Sequence, residues 1–142
     1  MRKELPHGEV CFVCSLNNPY GLKLTLWEEN GKVYTETKIS KYYSGYKGVI
    51  HGGIISTLLD EVMFWACYVK AQRSVLTVDM RVRFRKILKP SVVIRVEGWV
   101  VGGKRNILKA KGILKDSKDS SIIYAEAEGT YIIPHNLKLE FR

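Results

Sequence analysis

His51-Gly52-Gly53-Ile54-Ile55-Ser56-Thr57-Leu58-Leu59-Asp60-Glu61 decides the architecture of this chain. Two glycines open an apolar run that continues through Val62, Phe64, Trp65, Ala66 and Val69. At 100° per residue, Gly53, Ser56, Thr57, Asp60, Glu61, Phe64 and Tyr68 fall on one stripe of a helix, and aliphatic and aromatic side chains fill the rest. A helix that is apolar over most of its circumference must be enveloped, and the rest of the chain has to supply the wrapping.

The flanking sequence supplies it as strands. Upstream, Leu22, Leu24 and Leu26 alternate with Lys23 and Thr25, and Asn30-Gly31 is a two-residue hairpin signal leading into Val33 to Ile39. Downstream, four strand-like runs follow at 75–85, 92–101, 106–115 and 122–133. In the first of them Val78, Met80, Val82 and Phe84 alternate with Thr77, Asp79, Arg81, Arg83 and Arg85, which predicts one buried and one wet face. Small residues recur in the last two, Ala110 and Gly112, then Ala125, Ala127 and Gly129. These rows are placed beneath the helix, because small side chains let it approach closely. The order β-β-α-β-β-β-β makes an α+β fold with about six strands and one central helix.

The 142 residues fit a single domain, 1–142, with residues 1–21 as an irregular arm containing the turn-rich Asn17-Asn18-Pro19-Tyr20-Gly21. No signal-peptide core is visible at the N-terminus, and Ser56, Thr57, Asp60 and Glu61 interrupt the longest apolar stretch, so the expectation is a cytoplasmic protein with no membrane span. Three cysteines, an odd number without an export signal, argue for reduced thiols. Cys11-x-x-Cys14 with His7 offers three metal ligands, but tetrahedral structural zinc takes four. With no second cysteine pair, the reading is free thiols and no metal.

The net charge of +9 favours anionic partners. Arginines alternating along a strand also occur on nucleic-acid-binding sheets. Here aromatic residues are not interleaved with them as stacking platforms, since Phe84 lies on the opposite face and Trp99 stands alone, so no nucleic-acid partner is expected. A phosphorylated small molecule fits better.

The helix start carries the chemistry. Backbone N–H groups of Gly52 and Gly53 at a helix N-terminus can polarise a carbonyl oxygen, and Asp60 can activate water or attack directly. The loop at 40–50, with three tyrosines and two glycines, delivers the chain to this point.

Together these features resemble the hotdog fold and, more narrowly, the acyl-CoA thioesterases of the phenylacetyl-CoA thioesterase type. The resemblance rests on Cys11-Phe-Val-Cys14 with Asn18-Pro19-x-Gly21-Leu22, on Gly48-Val-Ile-His51-Gly52-Gly53 with Asp60, on Thr77-Val-Asp79-Met80, and on Phe84 with Pro90. It implies hydrolysis of an acyl- or aryl-CoA to a carboxylic acid and free coenzyme A, with no cofactor beyond the coenzyme A of substrate and product. It assigns Asp60 as nucleophile or general base, Gly52 N–H as the thioester-oxygen donor, and His51 and Thr77 as positioning groups. Relatives often carry an asparagine six residues before the histidine as a second oxyanion donor; this chain has Gly45 there, leaving Tyr46 or a backbone N–H to substitute. By strict alternation Thr77 shares the face of the arginines, so its role requires a bulge or strand end. Gly53 and Phe64 are candidate substrate contacts, with Tyr68 and Trp65 beside Phe64. Arg83, Arg85 and Lys86 are the candidate contacts for coenzyme A phosphates.

Gly52 and Asp60 are eight residues apart, which places them ~12 Å apart along a helix axis. An oxyanion donor and a nucleophile must both lie about 3 Å from one reacting group. Two antiparallel helices about a two-fold axis solve this, so a homodimer is expected, and the family adds a dimer of dimers. The rival reading is a non-catalytic acyl-CoA sensor, which would need no acid at position 60.

Overall fold

The computed structural model describes residues 1–137 and 139. Its elements in chain order are β1 (Lys3–Glu4), β2 (Trp27–Glu29), β3 (Lys32–Lys38), a 3-10 turn at Lys41–Tyr43, α1 (Gly52–Ala71), β4 (Leu76–Phe84), β5 (Val93–Lys104), β6 (Ile107–Asp116) and β7 (Ile123–Ile132). Among the described residues the strands join one antiparallel sheet in the order β1-β2-β3-β5-β6-β7-β4, curved around α1. The α+β arrangement of a long helix held in a wrapping sheet is the expected one. Seven strands replace about six because the arm contributes β1.

Each boundary has a local cause. Asn30 and Gly31 take φ 54° and 81°, the left-handed pair that a two-residue hairpin needs, and Glu29 pairs with Lys32 across it. The His51 side chain caps α1, and Gln72 in the left-handed region ends it, its N–H donating to the Tyr68 carbonyl at 2.7 Å. The expected strand at Leu22–Leu26 does not form: Lys23 turns to φ 54°, and the Leu22 and Leu24 amides donate instead to Phe12 and Val13 of the arm. Leu24 and Leu26 are still buried, so alternation marked their burial correctly and their pairing partner wrongly.

Leu58, Leu59, Val62, Met63 and Trp65 are fully buried. Each such side chain removed from water is worth roughly 1.5–3 kcal/mol. The length and apolarity of α1 would also satisfy a membrane span, but the sheet and arm take up its side chains here. The small-residue rows do lie beneath it: a Cβ on Gly112 would touch Leu59 and Met63 at 3.3 Å. Gly98, on β5, is closer still, because a Cβ there would come within 2.6 Å of the Val62 backbone. Cys67 is buried in the same core, which pushes its thiol up to about 12 and keeps it neutral. On the opposite face of β5, buried Glu97 is held by Arg95 at 2.6 Å, Lys115 at 3.4 Å and Lys32 at 3.6 Å. Burial pushes its carboxyl up, but the Arg95 bond and the lysine charges outweigh it and leave the group ionised.

β4 departs from its predicted pattern. Val78 and Phe84, assigned to the buried face, are 52% and 55% exposed. The register slips between Thr77, which pairs with Tyr131, and Asp79, which pairs with Thr130. Val78 is the extra residue of a bulge, and β4 is the sheet's edge, with its outer side open.

Candidate active site

The bulge is what builds the acidic centre. Above it Met80, Val82 and Phe84 pair with the small residues Gly129, Ala127 and Ala125 beneath the helix. The extra residue shifts the alternation by one, so Thr77 joins that face instead of the face of the arginines. Its hydroxyl donates to Asp60 Oδ1 at 2.9 Å. The Tyr131 hydroxyl donates to the same oxygen at 2.7 Å and approaches the Asp60 carbonyl at 3.3 Å.

Tyr131 is fully buried at the end of β7. Burial and the neighbouring Asp60 carboxylate push its phenol far above the usual tyrosine range, so it remains a donor. With both bonds on Oδ1, the Oδ2 oxygen accepts nothing among the described residues and is left for chemistry. Asp60 itself is only partly buried. Tyr131 was not among the sequence candidates; its signal was an inward position on β7 opposite Thr77.

The helix start is equally specific. His51 Nδ1 accepts the Gly53 N–H at 2.8 Å, which fixes the ring as the Nε2–H tautomer. Of the two glycine N–H groups offered as oxyanion donors, Gly53's is therefore spoken for. Gly52's, with no intrahelical acceptor by position, donates to no group among the described residues. Gly45 does not provide a second donor, since its N–H goes to the Val49 carbonyl at 2.9 Å. The Tyr46 side chain is 85% exposed, pointing away from the chain's own core.

A cleft of about 330 Å³ opens at Gly52, bordered by Ile55, Phe84, Arg85, Lys86 and Leu88. The Phe84 ring stands beside Gly52, where a Cβ would meet it at 3.3 Å. Arg85 also pairs with Glu126 on β7. Arg83 is separated from this cleft and borders a groove on the sheet's outer face with Arg81, Trp99 and Lys111. Phe64 is buried, edge-on to Trp65 with ring centroids 5.5 Å apart and stacked near Tyr68 at 6.2 Å.

Comparison with known proteins gives the family. The thioesterase superfamily profile matches residues 47–123, more than half of the chain and the whole stretch from the helix approach to β7. The chain belongs to the thioesterase superfamily. Solved members share its hotdog fold. Thioesterase superfamily member 2 of zebra fish superposes with a TM-score of 0.73 at 21% identity, covering 83% of this chain and 89% of that one. The Streptococcus mutans protein smu.793, solved bound to acetyl CoA, gives 0.67 at 21% identity over 78% of this chain and 86% of its own. A hypothetical thioesterase from Streptococcus pneumoniae, solved with coenzyme A, gives 0.68 at 19% identity, with 78% and 84% covered. Another superfamily structure is longer, and this thioesterase superfamily chain spans 56% of it. No curated protein matches the sequence.

Proposed function

We propose that this chain is an acyl-CoA thioesterase of the phenylacetyl-CoA type, active as a homodimer, with Asp60 as its reactive acid. The observation that carries the reading is the Asp60 carboxylate itself: two hydroxyls fix one oxygen and leave the other open. Superfamily membership and two relatives solved with acetyl CoA or coenzyme A support thioester substrates.

Within one chain the Gly52 N–H and Asp60 are two helical turns apart, too far to grip one thioester. The open edge of β4 supplies the remedy. Antiparallel pairing of β4 with its own copy satisfies the exposed strand edge, covers Val78, and brings two helices side by side about a two-fold axis. Each site then takes Asp60 from one protomer and the helix N-terminus from the other.

In this arrangement the partner's Gly52 N–H draws charge onto the thioester oxygen. Asp60 Oδ2 either removes a proton from a water that attacks the carbonyl carbon, or attacks that carbon itself to give a mixed anhydride that water then opens. Both routes break the C–S bond, release coenzyme A as thiol after proton transfer, and leave a carboxylic acid. Arg85 and Lys86 border the Gly52 cleft and are the proposed contacts for coenzyme A phosphates; Arg83 borders a separate groove on the outer face.

The test is a panel of acyl- and aryl-CoA esters with detection of free thiol. Wild type releases thiol and Asp60→Ala does not. Tight acyl-CoA binding without thiol release would favour the sensor reading instead. Val78→Lys places a charge on the strand edge and is expected to yield monomers by gel filtration with little turnover; a fully active monomer would refute the shared site.

A further inference from the structure

The arm and the helix bring together a group of ligands that the catalytic reading does not use. Cys11 and Cys14 lie on the arm and Glu61 on α1, fifty residues from Cys11. All three residues are buried, and the two Sγ atoms and a Glu61 carboxylate oxygen lie within 4.8 Å of one another. Cys11 Sγ is 3.9 Å from Glu61 Oε2. A tetrahedral zinc with Zn–S of about 2.3 Å and Zn–O of about 2.0–2.2 Å sets its donors roughly 3.5–3.8 Å apart, so a contraction of at most about 1.3 Å would close the triad.

We propose that Cys11, Cys14 and Glu61 form a zinc-binding site that ties the N-terminal arm to the central helix.

The surroundings support the assignment. Trp65 Nε1 donates to Glu61 Oε2 at 3.0 Å, and the Gly8 N–H donates to Cys14 Sγ at 3.4 Å. Metal-ligating carboxylates and thiolates are oriented by outer bonds of this kind. His7, the third ligand that spacing suggested, is turned elsewhere: its Nδ1 contacts the Cys14 carbonyl at 2.7 Å and its Nε2 contacts Glu4. Glu61 takes its place, brought in by the fold from a distant part of the sequence. A disulfide would need only the two sulfurs, whereas a third anionic donor from another element is what a cation requires. Two sulfurs and one oxygen favour zinc over magnesium or calcium. Three protein donors are one short of the closed four-ligand structural site, so the fourth tetrahedral position falls to a water. The role is structural: the site pins α1 at the residue next to Asp60 and needs no part in the thioester chemistry.

The chain, purified under reducing conditions and reconstituted with zinc, is expected to retain stoichiometric metal by mass spectrometry after desalting. Cobalt in its place should give the sulfur-to-cobalt charge-transfer band and the strong visible bands of tetrahedral thiolate coordination. Cys14→Ser should lose that charge-transfer intensity. Glu61→Gln keeps an acceptor for Trp65 and should weaken metal affinity by at least ~10- to 100-fold with unchanged circular dichroism. A folded wild type that takes up neither metal would overturn the site, as would cobalt spectra unaltered by either variant. Recovery of a Cys11–Cys14 disulfide from protein purified without reductant, together with no cobalt signature in the reduced protein, would reassign the cysteines to redox chemistry.

Discussion

Asp60 and Glu61 are consecutive acids on one helix, yet the fold treats them as opposites. One residue of helix is a 100° turn. It leaves Asp60 at the junction with β4 and β7, partly exposed and bonded to two sheet hydroxyls. It sends Glu61 into the interior, 2% exposed, against Trp65 and the cysteines of the arm. Sequence periodicity groups the two on one polar stripe. Their partners, not their position on the stripe, separate a reactive carboxylate from a structural one.

The sharpest way to break this contrast is the pair of isosteric amides. Asp60→Asn is expected to lower thioester turnover by ~10² to 10⁴, the usual contribution of a general base, with the melting temperature nearly unchanged. Glu61→Gln should do the reverse, leaving turnover within a few-fold while lowering stability by about 0.5–1.5 kcal/mol, because the amide keeps an acceptor for Trp65 but replaces the second oxygen with a donor. Kinetics and thermal unfolding on both variants decide it. Equal effects on turnover would erase the distinction.

Tyr131→Phe comes next in size. It removes the shorter of the two bonds to Asp60 Oδ1, and the ~1.5–3 kcal/mol of a hydrogen bond to a charged group, if felt only in the transition state, corresponds to a roughly 10- to 100-fold fall in kcat. The phenol also makes a pH prediction. Its folded-state pKa is raised by burial and by Asp60, so the folded protein holds this proton where the unfolded chain has begun to lose it. The stabilisation is complete below the ordinary tyrosine value of 10.0 and is lost progressively as pH climbs above it. Wild type should therefore show an alkaline fall in stability that Tyr131→Phe flattens; parallel curves would show that Tyr131 does not titrate with unfolding.

The sequence carried most of the fold. The helix, the Asn30-Gly31 hairpin, the four long strands and the small-residue rows beneath α1 follow from patterns local to each segment, and the structure shows all of them. What escaped was contact between segments. Leu22 and Leu24 alternate as a strand would, but their amides pair with an arm whose own path has no periodic signature. Asp60 and Gly52 stood out through the helix motif, whereas nothing marked Tyr131 until β7 placed it across from Thr77. Glu61 shared the polar stripe with Asp60, and nothing in the spacing ties residue 61 to residues 11 and 14.

Thr77 gives the smallest effect and the finest test, because its role depends on a single inserted residue. Without Val78 as a bulge, Thr77 would point with Asp79 and Arg81 to the outer face, and Asp60 would keep one hydroxyl instead of two. Thr77→Val preserves the β-branched shape that suits the strand and deletes only the hydroxyl. The Thr77 hydroxyl is more exposed than that of Tyr131, so water can replace much of its bond, and a loss of about 0.5–1.5 kcal/mol, or less than roughly tenfold in kcat, is expected. Thr77→Ser restores the donor and should recover most of that loss, which a purely steric role would not allow. In the double variant with Tyr131→Phe, both donors converge on one oxygen, so the effects should be non-additive; simple additivity would mean that the two hydroxyls act on Asp60 independently.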